Sequence, residues 1–360
     1  MELQPYLIKC RRALHQIPEL ALEEKKTSEF IVGELKALRV KHYTVGTAVI
    51  AEIRGREKTT VALRADIDAL PITEANELPY RSTHAGRMHA CGHDGHMAML
   101  LAVAALASET APKYTLRLIF QPAEENGGGA ERLIEAGVLK GVDRIYGLHM
   151  SPDYPKGTIA TDGGAILAGV CDYTVEFYGK GVHCAVRDAG IDAIIAAYTF
   201  CERAERLYRA SYARNSLHHV GRFTGGVASN IVADRAAVSC TFRFFDPADK
   251  ESFFMRIQDI LNGIYAETGA GHRLTVTGYY PPLVNDAALA DELKTLCGAA
   301  ECGSAYTSED FAFYLEKVPG VFSWVGFRDE THSSALHSAD FDFDEGALAA
   351  GVELYKKLIY

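Results

Sequence analysis

The chain has 360 residues, 23% of them charged, and a formal net charge of −10 with acidic and basic side chains interspersed. That balance argues against nucleic acid or an anionic membrane as a partner, and no apolar run reaches the length of a membrane span. The length exceeds that of a usual single hydrophobic core, so two domains are expected. The N-terminal stretch lacks the apolar centre of a secretion signal. The scattered cysteines (Cys10, Cys91, Cys171, Cys184, Cys201, Cys240, Cys297 and Cys302) fit reduced thiols better than a disulfide framework, so the expected location is the cytoplasm.

Helical spacing of apolar residues marks 5–16 and 27–38, joined by a turn at Ile17-Pro18-Glu19-Leu20. Strand-like runs follow at 47–53 and 60–64, the second delivering Ala65-Asp66-Ile67-Asp68-Ala69-Leu70-Pro71. Next comes His89-Ala90-Cys91-Gly92-His93-Asp94-Gly95-His96, which runs into a buried helix beginning near Met97, with Asp94 a candidate N-cap. A strand at 115–120 ends in Gln121-Pro122-Ala123-Glu124-Glu125, a helix covers 130–136, and a short strand at 144–148 ends at His149. Strands alternating with helices predict an α/β domain with a largely parallel central sheet flanked by helices. The pattern changes near Gly169: strands at 172–178, 218–223, 236–244 and 272–278 alternate with helices at 191–210 and 250–267. That β-α-β-β-α-β order predicts a ferredoxin-like domain over 170–278, inserted into a first domain of 1–169 and 279–360. The first domain closes with a strand at 321–326 and a helix at 344–359.

The polar residues follow this layout. Imidazole and thiolate suit zinc, nickel, cobalt or copper, and a metal site needs about four donors. Asp66 and Asp68 follow one strand, Glu124 and Glu125 a second, and His149 a third, while the Cys91/His93 loop feeds a helix on the same sheet. The crevice outside the carboxyl ends of parallel strands is the usual ligand site, so donors distant in sequence are expected to converge there. His337, just before the last helix, is a further candidate. Separately these residues have bland explanations: a solvated helix start, a satisfied core histidine, a loop cap. Together they point to a metal centre. Of two adjacent glutamates, one can bind metal while the other takes a proton from attacking water, whose pKa metals lower toward ~7. The reaction class is metal-assisted hydrolysis.

Cys91-Gly92-His93-Asp94, Gln121-Pro122-Ala123-Glu124-Glu125, Gly147-Leu148-His149 and Leu336-His337 together resemble the M20 metallopeptidase/amidohydrolase family. Within it they resemble the aminoacylase-like branch of hippurate hydrolases, auxin-conjugate hydrolases and N-acetyldiaminopimelate deacetylases. Arg12-Ala13-Leu14-His15, Arg64-Ala65-Asp66-Ile67-Asp68, Gly179-Lys180-Gly181-Val182-His183, Gly225-Gly226-Val227-Ala228-Ser229-Asn230 and Ser308-Glu309-Asp310-Phe311 extend the likeness over nearly the whole chain. The resemblance implies a centre of two divalent ions held by Cys91, His93, Glu125, His149 and His337. It implies Glu124 as general base, Asp68 as the acid that orients a ligand, and His183, Asn230 and Arg243 as substrate contacts. It also makes the inserted domain a lid and the interface of a homodimer. The thiolate at Cys91 is softer than the carboxylate of other branches, so manganese, cobalt or nickel stand beside zinc as the expected metal. The implied activity is cleavage of the amide bond of N-acyl, above all N-acetyl, amino acids.

Two positions depart from the branch's pattern. Arg187-Asp188 stand where a second histidine is usual after His183, and Ala233 replaces a proline after Asn230. Alternative readings are a dipeptidase or aminopeptidase on the same centre, a thiol nucleophile at Cys91 (which leaves Glu124, Glu125 and His149 idle), and an inactive metal-binding scaffold.

Overall fold

The structure, a computed structural model, describes residues 2–360. The chain divides into two compact units: the residues through Ile166 with 284–303 and 310–360, and 167–283 with 304–309. The exchange points therefore lie a few residues from those expected, and the segment 304–309 joins the second unit.

The first unit is built on a seven-stranded mixed sheet. Its order is Lys41–Val45, Ala48–Ile53, Thr115–Gln121, Thr60–Asp66, Arg144–Pro155, Gly320–Arg328 and Ile159–Ala160. The four middle strands, from Thr115–Gln121 to Gly320–Arg328, pair parallel, and the outer strands pair antiparallel. Parallel strands are covered on both faces and so read as continuous apolar runs; all but the first residue of Thr60–Asp66 is buried. Across that pairing Asp66 stands opposite Gln121, so the carboxyl ends of both strands, with the residues that follow, reach one edge. The strand expected to stop at His149 continues to Pro155, because its register with Gly320–Arg328 runs on through Met150 and Ser151 to Pro155. His149 is consequently a mid-strand residue paired with Trp324.

The helix His93–Glu109 is apolar on every side, as a fully buried helix must be. It packs against the helices Leu3–His15 and Leu348–Ile359. The N-cap position belongs to Gly92 and not to Asp94. Gly92 adopts φ 85°, a left-handed conformation open to glycine, and an added Cβ would press on the Met150 side chain at 3.2 Å. Asp94 lies inside the first turn, and its carboxylate is drawn away to Arg11 Nε (2.9 Å) and His15 Nδ1 (2.8 Å). The strand Lys41–Val45 and the helices Ala287–Cys297 and Phe311–Leu315 escape the periodicity reading. The strand is a mostly exposed edge without an apolar face.

The second unit is a four-stranded antiparallel sheet ordered Gly271–Tyr280, Gly169–Tyr178, Arg235–Phe244, Ser216–Gly225. With the helices Ala193–Ser211 and Pro247–Thr268 it has the expected β-α-β-β-α-β sequence. Asp192 and Asp246 cap those helices through their side chains. Phe177, Phe200, Phe242 and Phe253 fill the core between sheet and helices, the rings of Phe242 and Phe253 stacking with centroids 4.0 Å apart.

Candidate metal centre

Five predicted donors converge at the carboxyl edge of the parallel strands. Cys91 Sγ stands 3.4 Å from His149 Nε2 and 3.2 Å from His337 Nε2, so one sulfur faces two imidazoles. Glu125 Oε1 lies 3.2 Å from His337 Nε2 and 3.8 Å from His93 Nε2. Donor atoms of Cys91, Glu125 and His337 form one tight group; those of His93, Glu124 and Glu125 form another that shares Glu125.

Hydrogen bonds on the far sides of the rings settle which nitrogens face inward. His93 Nδ1 donates to the Asp68 carbonyl at 2.8 Å, and His149 Nδ1 donates to the Met150 carbonyl at 2.8 Å. Each leaves the Nε2 lone pair toward the cluster, the tautomer a ligand needs. His93 Nε2 is buried and makes no hydrogen bond. His96 is different: its Nε2 accepts from the Met150 N–H at 2.9 Å, and its Nδ1 donates to Asp66 at 2.6 Å. Both nitrogens are used, so His96 buttresses the strand end and is not a ligand, although it falls within a buried group with Asp66, His93 and His149. His337 differs again, being half exposed and at φ 65°.

The charge balance at the cluster calls for cations. Burial opposes charge on His93, yet Asp66, Asp68 and Glu125 push its pKa up to about 10. Burial raises the Cys91 thiol well above its ordinary value, and the carboxylates of Glu125, Glu124 and Asp66 raise it further. A thiolate and a neutral imidazole at this spot need positive charge close by, which divalent ions supply. An orphaned inward-facing imidazole nitrogen and a buried thiol among carboxylates fit a centre of two divalent ions.

Behind the donors stands a buried polar frame. Asp68, fully buried, accepts the N–H of Glu124 at Oδ1 (3.1 Å) and that of Glu125 at Oδ2 (3.0 Å). Its carbonyl thus orients His93 while its carboxylate holds the glutamate pair. Arg64 bonds Asp66 (2.7 Å), Gln121 (2.9 Å) and Asp310 (2.8 Å), and Asp310 also accepts from Gln121 and from the Ala130 N–H. The parts played by Asp310 and Gln121 are not legible in the sequence. Only membership of the quoted motifs marks them, since a buried ionic frame leaves no periodicity.

The other three predicted residues belong to the second unit. His183 is exposed, bridged in extended pairing to Ile231, and caps the short turn Cys184–Ala189 by accepting the Ala185 N–H at 3.2 Å. Asn230 is its neighbour: the Asn230 carbonyl accepts from the Cys184 N–H at 2.9 Å. Arg243 lies in the central strand Arg235–Phe244 and donates to the Tyr306 carbonyl at 2.7 Å.

Residues 62–360 match the model of peptidase family M20/M25/M40. The chain is 36% identical to an N-acetyldiaminopimelate deacetylase of Lacticaseibacillus casei (strain BL23), over 96% of this chain and 95% of that one. It is 37% identical to an N-acetyl-L-cysteine deacetylase of Bacillus subtilis (strain 168), over 96% of this chain and 85% of that one. Among solved structures it superimposes on the Bacillus subtilis YXEP protein, described as a dinuclear metal binding peptidase from the M20 family. That match has a TM-score of 0.88 and 34% identity, covering 99% of this chain and 97% of the other. On this match and these identities, the chain belongs to peptidase family M20/M25/M40.

Proposed function

We propose that the protein is a metal-dependent amidohydrolase that cleaves the amide bond of N-acyl amino acids, with N-acetyl amino acids as the preferred class. The observation that carries this reading is the glutamate pair. Glu125 belongs to the donor cluster with Cys91 and His337, while its neighbour Glu124 is held beside it by the same Asp68 carboxylate. Family membership and two deacetylases among the relatives support it.

Two divalent ions held by Cys91, His93, Glu125, His149 and His337 would lower the pKa of water and polarise the substrate carbonyl. Glu124 takes the proton of the attacking water and returns it to the departing amine, the ordinary work of a general base turned acid. His183 donates to the carbonyl oxygen as negative charge develops there, an interaction worth roughly 2.7–4 kcal/mol in comparable sites. Asn230 and Arg243 hold the remainder of the substrate from the second unit, which serves as a lid. All eight cysteines are unpaired, which supports a reducing compartment, the cytoplasm.

The test is a panel of N-acyl amino acids against free dipeptides, with manganese, zinc, cobalt or nickel added to metal-stripped protein. Hydrolysis of the N-acetyl compounds with the dipeptides untouched is expected. The reverse preference overturns the reading in favour of a dipeptidase. No turnover of either, with metal bound, leaves a scaffold. N-acetyldiaminopimelate and N-acetyl-L-cysteine belong in the panel on account of the relatives.

A further inference from the structure

Glu24 is buried completely, at the start of the helix Lys25–Ala37, about a hundred residues before the glutamate pair in sequence. Its Oε1 accepts two backbone N–H groups, from Leu22 at 2.9 Å and Ala123 at 3.0 Å, and its Oε2 accepts the Thr47 hydroxyl at 2.8 Å. Leu22 and Ala123 are two of the four non-glycine residues with positive φ among the described residues, at 66° and 57°. Such conformations are strained for residues with a Cβ and persist only where the surroundings impose them. One carboxylate oxygen therefore holds both strained turns.

The second of those turns is where the chemistry is aimed. Ala123 is the residue before Glu124. Pro122 has no N–H, so the first three N–H groups after Gln121 are those of Ala123, Glu124 and Glu125. All three point into buried carboxylates, the first into Glu24 and the next two into Asp68. The Ala123 carbonyl is tied as well, accepting from the Gly129 N–H at 3.1 Å. A rotation at Ala123 would swing Glu124, because the direction of a side chain follows the backbone that carries it.

We infer that Glu24 is a positioning residue of the catalytic apparatus, a clamp that holds Ala123 in its left-handed conformation and thereby fixes the direction of Glu124. The inference rests on the reading of Glu124 as the base. Two measurements separate the fate of the clamp from the fate of that reading. Amide exchange over 123–126 needs neither metal nor substrate. In Glu24→Ala it rises by roughly tenfold or more relative to wild type, while exchange in the helix His93–Glu109 stays unchanged. With the best substrate of the panel, Glu24→Ala loses ~10- to 100-fold in kcat, the scale expected of a misplacement near 1 Å, while KM stays within about threefold. Metal content stays at the wild-type level. Glu24→Gln keeps Oε1 for both N–H groups and turns its amide toward Thr47, so it retains most of kcat. Adding Ala123→Gly to Glu24→Ala removes the conformational strain and recovers kcat by roughly fivefold or more. Should Glu24→Ala fail to fold, Glu24→Asp carries the same expectations, because it retracts the carboxylate by one methylene and keeps its charge.

Unchanged exchange over 123–126 in Glu24→Ala, or in Glu24→Asp, overturns the clamp. So does a loss confined to KM or to metal content, or a double variant with Ala123→Gly no faster than the single one. If wild type turns over no N-acyl amino acid, the proposed function fails while the exchange result still decides the clamp.

Discussion

Glu124 and Glu125 are chemically identical neighbours whose surroundings differ. Glu125 faces His337 and His93, which outweigh burial and hold its carboxyl below the usual range, the state a ligand needs. Glu124→Gln should keep metal content at the wild-type level and lower kcat by ~10²–10⁴-fold, the usual worth of a general acid–base. Glu125→Gln should instead weaken metal binding, read as a lower ion content after gel filtration. Equal metal loss in both variants would refute this division of labour. Cys91 supplies a second check at the same scale. It is buried beside carboxylates, and a bound cation must keep it as a thiolate shielded by His149 and His337. Metal-stripped protein should react with maleimide at Cys91, and metal-loaded protein should not. Labelling at one rate in both forms would remove Cys91 from the donor set.

At the level of elements, the N-terminal helix Leu3–His15 is tied to the start of His93–Glu109 by ions and not only by apolar contact. Arg11, fully buried, bonds Asp94 at 2.9 Å and Asp342 at 2.8 Å. Arg11→Ala strands Asp94 without its main cation, so a loss of about 3–5 kcal/mol is expected in denaturant unfolding; a loss under about 1 kcal/mol would show that His15 alone suffices. In the second unit, burial holds the pKa of His218 down to about 4, and its Nε2 is hydrogen-bonded to the Tyr173 hydroxyl at 2.8 Å. Between the unfolded value of 6.5 and about 4 the unfolded chain takes up a proton that the folded chain refuses, so stability falls as pH falls through that window. One proton corresponds to a slope of about 1.4 kcal/mol per pH unit. His218→Asn should flatten the dependence; an unaltered slope would assign it elsewhere. Most of the elements are legible in the sequence, because helices such as Leu3–His15 and Ala193–Ser211 carry an apolar period, the buried parallel strands and His93–Glu109 read as continuous apolar runs, and Asp192 and Asp246 mark helix starts. The start of His93–Glu109 is the exception. Asp94 has the chemistry of an N-cap, but Arg11 and His15, about eighty residues away, claim its carboxylate. The donors are visible as motifs, whereas the frame of Arg64, Gln121 and Asp310 is not, since long-range ionic contacts leave no local trace.

The whole molecule adds a question of partnership. The strand Ser216–Gly225 forms one edge of the second unit's sheet, with exposed Phe223 within it and Val227 just beyond, and an unpaired edge of this kind invites a second copy. We propose a homodimer through this unit, in which His183 of each chain serves the other's centre. Phe223→Lys should shift the sedimentation coefficient to that of a monomer. Mixing His183→Ala protein with Glu124→Gln protein, under demonstrated subunit exchange, should restore activity that neither possesses alone; its absence would confine His183 to its own chain. One property of the metal centre has a bearing on how the protein matures. Its donors are spread from Cys91 to His337, and the entire second unit, 304–309 included, is encoded between His149 and His337. A ribosome translating this message must therefore release the second unit before it supplies the last of these residues. The full centre cannot assemble on the emerging N-terminal half, unlike a zinc module whose ligands arrive within a few dozen residues. A frameshift or truncation anywhere before His337 therefore leaves an incomplete donor set however well the first half folds.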